Sequence, residues 1–156
     1  MNPMRKSRQM YDDVVIIVAE DDIGHASLIK RNLARAGINN EILHLSDGEQ
    51  ALNFLFRTGE GPVRDLDKQY LLLLDIRMPK VSGIEVLEEI KKDSVLKKLP
   101  VIMVTTTDDP KDVDKCHLLG CSNYITKPIE YEKFIEVVQK LGFFLKIVSI
   151  PSLSDS

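Results

Sequence analysis

Four consecutive leucines followed by an aspartate constrain the fold of this chain more than any other stretch. Residues 70–74 read Tyr-Leu-Leu-Leu-Leu, and Asp75 follows them directly. A strand that is apolar throughout, rather than alternating, is typical of a parallel sheet covered by helices on both faces. Because Pro79 stops the strand, Asp75 is predicted to lie at the carboxyl edge of a sheet, where open α/β folds bind their ligands.

Four further apolar runs have the length and composition of strands. Most are followed by segments in which apolar residues recur every three or four positions, as they do in amphipathic helices. The predicted strands cover residues 14–19, 40–45, 70–74, 100–104 and 124–126, and the predicted helices cover 23–36, 50–56, 84–90, 110–120 and 131–148. This alternation predicts an α/β fold, a doubly wound five-stranded parallel sheet with five helices.

Length and charge limit the class of protein. The 156 residues fit one domain, predicted at residues 14–148 between polar tails at 1–13 and 149–156. The chain has 24 acidic and 21 basic residues without a basic cluster, which argues against nucleic-acid binding. It has neither a span of roughly 18 apolar residues nor a signal-peptide core. We therefore expect a cytoplasmic protein that does not enter a membrane.

Polar side chains follow four of the predicted strands. Glu20 and Asp21 follow the first strand, Asp75 the third, Thr105 the fourth and Lys127 the fifth. The carboxyl ends of parallel strands lie at one edge of a sheet, so these side chains are expected to converge. Each of them alone has an ordinary explanation as a turn residue, a helix cap or a solvated charge. Their occurrence at four strand ends favours a shared site over coincidence.

The convergence of carboxylates predicts a metal ion and a nucleophile. Neighbouring carboxylates repel one another, and Mg²⁺ (or Mn²⁺) would neutralise them because hard cations prefer oxygen ligands. A carboxylate can attack phosphorus to form an acyl phosphate, so we expect Asp75 to accept a phosphoryl group. Lys127 would provide a positive charge and Thr105 a hydrogen bond to the oxygens of that group. The three histidines lack ligand spacing and are expected to be structural or solvated: His25, His44 and His117.

Four groups of residues resemble the motif of the receiver domains of two-component response regulators: Glu20-Asp21, Asp75-x-x-Met78-Pro79-x-x-x-Gly83, Thr105 and Lys127-Pro128. The resemblance covers the chain from about Val14 to the last helix. It implies the flavodoxin-like strand order 2-1-3-4-5 and a cis Lys127–Pro128 peptide bond. It also implies a signalling protein that is phosphorylated, rather than an enzyme that turns over a substrate.

The resemblance implies a role for each polar residue at the predicted edge. Asp75 would be the phosphoacceptor, and Thr105 and Lys127 would contact the phosphoryl group. Four groups would hold the metal ion: Glu20, Asp21, Asp75 and the main-chain carbonyl of Arg77. Tyr124 matches the aromatic switch position, whose ring turns inward when Thr105 is drawn toward the phosphate. Thr106 occupies the small-residue position beside the phosphate.

The long loop at residues 57–69 and the end of the chain are similar to those of single-domain regulators that accompany cyanobacterial and bacterial phytochrome histidine kinases. A histidine kinase, such as a bacteriophytochrome, is thus the implied partner. Its phosphohistidine helix would dock at the first helix, with Ile23 and Ala26 as candidate contacts. Because only residues 149–156 follow the last helix, we expect output by protein contact or by relay to a downstream phosphotransfer protein.

The last predicted helix has more apolar residues than one core-facing stripe needs. The stripe consists of Tyr131, Phe134, Val138, Leu141, Leu145 and Val148, and the residues beyond it are Ile135, Phe143, Phe144 and Ile147. Exposed apolar surface marks contact sites, so the sequence predicts a homodimer through this helix. A helix inserted more deeply in the core is the alternative.

Other functions fit parts of the sequence. A phosphohydrolase of the haloacid dehalogenase type would carry a second aspartate two residues after the nucleophile, where this chain has Arg77. A flavodoxin-like electron carrier would need a phosphate loop after the first strand, where Glu20 and Asp21 would repel the phosphate. The third alternative is a pseudo-receiver, which binds partners without being phosphorylated.

Overall fold

Five parallel strands form a single sheet in the order β2-β1-β3-β4-β5. They are β1 (Val14–Ala19), β2 (Ile42–Leu45), β3 (Gln69–Leu74), β4 (Val101–Thr105) and β5 (Asn123–Thr126). The structure is a computed structural model that describes the backbone of residues 14–148 and the side chains of residues 14–141. The tails predicted at 1–13 and 149–156 lie outside the described residues.

Five helices connect and follow the strands: α1 (Ile23–Arg35), α2 (Gly48–Phe56), α3 (Gly83–Lys92), α4 (Pro110–Leu119) and α5 (Tyr131–Val148). A short 3₁₀ turn at Leu96–Lys98, which the sequence pattern did not predict, lies between α3 and β4. The predicted fold class and strand order are therefore confirmed. Asp109 caps α4 through its side chain and Pro110 begins it, as predicted.

Helices cover both faces of the sheet, which explains why its central strands are apolar throughout. On one face, α1 and α5 pack against alternate strand residues such as Ile16, Leu71 and Ile102. On the other face, α2, α3 and α4 pack against the residues between them, such as Ile17 and Leu72. Successive strand residues point to opposite faces, so every position of β3 from Tyr70 to Leu74 is buried.

The core-facing stripe of α1 begins one turn later than the sequence pattern predicted. Ile23, the first helical residue, is 76% exposed, whereas Ala26, Ile29 and Leu33 are buried. The three- and four-residue spacing of Ile23, Ala26, Ile29 and Leu33 predicts that all four lie in one core-facing stripe, and this prediction is wrong for Ile23. Ala26 was a candidate contact for a kinase, and this is also wrong because its side chain lies in the core.

The core-facing stripe of α5 is wider than predicted. Ile135 was assigned to an excess apolar surface, but it is 6% exposed and packs in the same cluster as Phe134 and Val138. The ring of Tyr131 packs under the guanidinium of Arg35, 3.8 Å from its centroid, and so connects α5 to the end of α1. The side chains of residues 142–148 lie outside the description. Among residues 14–148, no helix has the length and apolar content that crossing a bilayer would require.

The segment at residues 57–68 is a loop that ends one residue earlier than predicted, because β3 begins at Gln69, and one of its residues is not on the surface. Arg64 is 8% exposed. Its Nε donates to the carbonyl of Leu55 at 2.7 Å, and its backbone N–H donates to the carbonyl of Phe54 at 2.9 Å. The loop is therefore fastened to the last turn of α2, where carbonyl groups lack helical partners.

Candidate functional site

Backbone hydrogen bonds continue beyond the strand ends and bring the polar residues at the carboxyl edge together. These bonds run from Asp75 N to Ala19 O (3.1 Å), from Glu20 N to Leu45 O (3.0 Å) and from Lys127 N to Thr105 O (2.8 Å). Each bond places the first residue after a strand against the neighbouring strand. The predicted convergence of groups distant in sequence therefore follows from the parallel pairing itself. The Lys127–Pro128 bond is cis.

Three carboxylates meet at this edge. Oxygen atoms of Glu20, Asp21 and Asp75 all lie within 4.8 Å of one another. The side chains of Glu20 and Asp75 are only 2% and 7% exposed, whereas Asp21 is exposed. Asp22, the next residue, does not join them and caps α1 by accepting the backbone N–H of His25 at 3.0 Å. The acidic run therefore divides into a carboxylate cluster and a helix cap.

Lys127 supplies a buried positive charge to this cluster. Its ammonium hydrogen-bonds the Glu20 carboxylate and lies 3.5 Å from Asp75 Oδ2, and its side chain is 4% exposed. The pKa of the Glu20 carboxyl is raised to about 7, chiefly by burial and also by the neighbouring Asp75 carboxylate, although the hydrogen bond from Lys127 acts in the opposite direction. One ammonium does not balance three neighbouring carboxylates, so the donor set fits a hard divalent cation.

The turn after β3 fixes the backbone around Asp75. The N–H of Arg77 points to Asp75 Oδ1 at 3.4 Å, and the N–H of Gly83 donates to the carbonyl of Ile76 at 2.7 Å. The Arg77 side chain is exposed. Its main chain thus lies beside the Asp75 carboxylate, whereas its side chain is exposed to solvent.

Thr105 is connected to Tyr124 through the main chain of Thr107. The fully buried Thr105 hydroxyl accepts the N–H of Thr107 at 3.3 Å, and the Tyr124 hydroxyl donates to the carbonyl of Thr107 at 2.6 Å. Thr106, between them, is exposed. Thr105 and Tyr124, the two residues in the switch position of the resemblance, are therefore joined through Thr107, which the sequence did not single out.

The Tyr124 phenol should titrate late. Burial raises its pKa to about 12, whereas an unfolded tyrosine ionises near pH 10. Its contribution to stability is therefore present below about pH 10 and is lost as the pH rises through about 12. We expect the difference in phenolate absorbance between the wild type and Tyr124→Phe to rise near pH 12, and a rise near pH 10 would contradict this environment.

Two histidines that the sequence did not connect with the site lie against it. His25 Nδ1 is 2.8 Å from Lys127 Nζ, and His44 Nε2 is 2.6 Å from the carbonyl oxygen of Glu20. The position of His25 in the first turn of the helix that follows Glu20 and Asp21 was an available signal, because helical side chains tilt toward the N-terminus. His117 lies elsewhere, 3.8 Å from Cys121 Sγ.

Comparisons with known proteins agree with this geometry. The family profile described as "Response regulator receiver domain" matches residues 16–139. Response regulator Rcp1 from Synechocystis is 34% identical over 88% of this chain and 93% of its own length. Its Mn²⁺-bound crystal structure superposes with a TM-score of 0.71, covering 88% of this chain and 98% of that one.

Two other solved structures are similar over the same extent. A receiver domain from Rhodospirillum rubrum is 40% identical, with a TM-score of 0.73, and the match covers 88% of this chain and 97% of that one. The phosphorylated cyanobacterial phytochrome response regulator RcpA is 32% identical, with a TM-score of 0.73, and the match covers 88% of this chain and 98% of that one. With the profile match and the edge geometry, these similarities show that the chain belongs to the family of response regulator receiver domains.

Proposed function

We propose that this chain is a single-domain response regulator that accepts a phosphoryl group on Asp75 from a histidine kinase. One observation carries the proposal. A nearly buried carboxylate at a strand end lies within 4.8 Å of the carboxylates of Glu20 and Asp21 and 3.5 Å from the ammonium of Lys127. The Asp75 carboxylate, which would be the nucleophile, thus has ligands for a cation and a fixed positive charge beside it, as phosphoryl transfer requires.

The carboxylate cluster is suited to Mg²⁺ or Mn²⁺. Glu20, Asp21 and Asp75, with the main-chain carbonyl of Arg77, would hold the ion through oxygen atoms, which hard cations prefer. When bound, the ion supplies positive charge that offsets the charge of the transferring group. The Mn²⁺-bound form of Rcp1 supports this assignment by analogy.

The remaining residues of the edge have distinct tasks in the transfer. An Asp75 oxygen forms a P–O bond to phosphorus while the P–N bond of the kinase phosphohistidine breaks, and the imidazole keeps the electron pair of that bond. Lys127 and Thr105 bind oxygens of the phosphoryl group, and Thr106 lies beside it. Movement of Thr105 toward the phosphate would alter the hydrogen bond that its hydroxyl accepts from the N–H of Thr107. Because the Tyr124 hydroxyl donates to the carbonyl of the same residue, this movement would also change the position of Tyr124 and so transmit the modification to the surface.

The proposed partner is a kinase of the phytochrome type. RcpA is a phytochrome response regulator, and its similarity to this chain supports such a donor. Ile23, exposed at the start of α1, provides an apolar contact for the phosphohistidine helix. Output would then occur by protein contact or by relay to a downstream phosphotransfer protein.

We also propose a homodimer through α5. Because Ile135 belongs to the core, the remaining apolar excess consists of Phe143, Phe144 and Ile147. We expect sedimentation at tens of micromolar protein to show a dimer. A monomer at that concentration would exclude a dimer of useful affinity.

The proposed phosphorylation is tested by intact-protein mass after incubation with acetyl phosphate and Mg²⁺. We expect the wild type to gain the mass of one phosphoryl group and Asp75→Asn to gain none, because an amide cannot replace the nucleophilic carboxylate. Asp109→Asn is the matched control, since asparagine also caps α4, and it should form the adduct. An adduct on Asp75→Asn would show that another residue is modified and would contradict the proposal. No adduct on the wild type would favour a pseudo-receiver, and repeated turnover of p-nitrophenyl phosphate would favour a phosphohydrolase.

A further inference from the structure

We infer that His25 is a positioning residue that holds the ammonium of Lys127 beside Asp75. The inference rests on the proposed function, because it assigns a task in phosphoryl transfer to Lys127. His25 Nδ1 lies 2.8 Å from Lys127 Nζ, which is a hydrogen-bonding distance for a charged donor. The same Nδ1 is 3.7 Å from Glu20 Oε1, too far for a hydrogen bond. His25 therefore acts on the lysine rather than on the carboxylate.

The hydrogen-bonding capacity of the ammonium explains why a third partner matters. An ammonium has three N–H donors and no acceptor. Two of the donors face the carboxylates of Glu20 and Asp75, and His25 Nδ1 accepts the third. Because the lysine only donates, Nδ1 must carry the lone pair and the ring proton must be on Nε2. The Lys127 side chain is 4% exposed, so bulk water cannot easily replace the imidazole.

The backbone around His25 is fixed, which makes the imidazole a defined acceptor. The backbone N–H of His25 donates to Asp22 Oδ1 at 3.0 Å, and the backbone N–H of Asp22 donates to Glu20 Oε2 at 3.1 Å. The start of α1 is thereby tied to the same glutamate that binds Lys127. The His25 side chain is itself 42% exposed and is not part of the core clusters of the described residues. Its replacement should therefore leave the fold intact.

Lys127 needs such a partner because its flexible four-carbon stem does not fix the ammonium. With three acceptors, the ammonium is held 3.5 Å from Asp75 Oδ2. Without the imidazole, one donor is unsatisfied in a nearly closed site, and the side chain samples other rotamers. Loss of a hydrogen bond to a charged group then slows phosphoryl transfer to Asp75 by about tenfold.

A matched pair of variants tests the inference. His25→Leu removes the acceptor at similar size, whereas His25→Asn places a carbonyl oxygen near the position of Nδ1. In protein labelled with ¹⁵N-lysine, the Nζ signal of Lys127 is identified by its loss in Lys127→Arg. We expect a protected signal in the wild type and in His25→Asn, and none in His25→Leu. The rate of adduct formation with acetyl phosphate at saturating Mg²⁺ should fall about tenfold in His25→Leu and be largely restored in His25→Asn.

The inference is overturned if His25→Leu keeps the protected Lys127 signal or reacts at the wild-type rate. It is also overturned if His25→Asn behaves like His25→Leu, because the acceptor would then not be the property that matters. Failure of the wild type to form any adduct would instead contradict the proposed function. In that case the NMR comparison still decides whether His25 holds Lys127.

Discussion

Gly83→Ala is expected to destabilise the protein by about 3 kcal/mol and to displace Asp75, the proposed phosphoacceptor. A Cβ atom at Gly83 would lie 2.0 Å from the carbonyl oxygen of Asp75 and 2.8 Å from Cα of Ile76. These are backbone atoms, so no side-chain rotation relieves the overlap. Alanine favours a helix over glycine by at most about 1 kcal/mol, which is too little to offset the clash. Urea unfolding measures the free-energy loss.

Gly61→Ala is the matched control for this substitution. A Cβ at Gly61 has no atom within 4 Å, and the residue does not have a positive φ, so its stability should change by less than about 1 kcal/mol. Adduct formation on Asp75 should slow in Gly83→Ala and be unchanged in Gly61→Ala. If Gly83→Ala were as stable and as reactive as Gly61→Ala, the close approach of α3 to Asp75 would not constrain the site.

The sheet and its edge were predictable because one physical pattern determines both. A strand buried on two faces must be apolar throughout, so β1, β3 and β4 could be recognised in the sequence as uninterrupted runs of apolar residues. Once the strands are parallel, their carboxyl ends share an edge, and the meeting of Glu20, Asp75 and Lys127 follows without knowledge of side-chain positions. Gly83 matched the family motif in the sequence. The physical requirement for glycine there, the close approach of its Cα to the Asp75 carbonyl, depends on how α3 packs against the end of β3 and was not evident from the sequence.

The predictions of burial were wrong where the spacing of apolar residues does not determine which neighbouring element covers a side chain. Ile23 has the periodicity of the α1 stripe, yet the core contacts begin one turn later, at Ala26. Ile135 falls outside a narrow stripe on α5, but α5 buries a wider face against the sheet. Arg64, in a polar loop, is buried because its guanidinium reaches the end of α2. Each outcome depends on tertiary neighbours that periodicity does not specify.

His25 was overlooked for a different reason. A histidine without ligand spacing has many roles, and the sequence gives no distance between α1 and β5. The contact with Lys127 joins residues 102 positions apart, and it depends on the side-chain direction in the first turn of α1. Such a contact becomes predictable only when the strand order is combined with the helix start at Ile23.

Lys127→Met is expected to make the stability of the protein depend strongly on divalent metal. The ammonium lies between the side chains of Glu20 and Asp75, which are 2% and 7% exposed. Its removal leaves two nearly buried carboxylates without their cation. Removing one partner of a buried ion pair lowers the free energy of unfolding by about 3 kcal/mol. Glu20 can recover part of this cost by taking up a proton, since burial already raises its pKa to about 7.

A divalent ion should recover more of the loss than protonation does, because it neutralises both carboxylates at once. We therefore expect Mg²⁺ to raise the unfolding free energy of Lys127→Met more than that of the wild type, since the variant binds the ion without competition from the ammonium. Lys92→Met is the control. Lys92 is 70% exposed and lies 3.4 Å from Glu89, which is 50% exposed, and such a surface pair contributes at most about 1 kcal/mol. Equal responses of wild type and Lys127→Met to Mg²⁺ would mean that lysine and metal do not share the carboxylates.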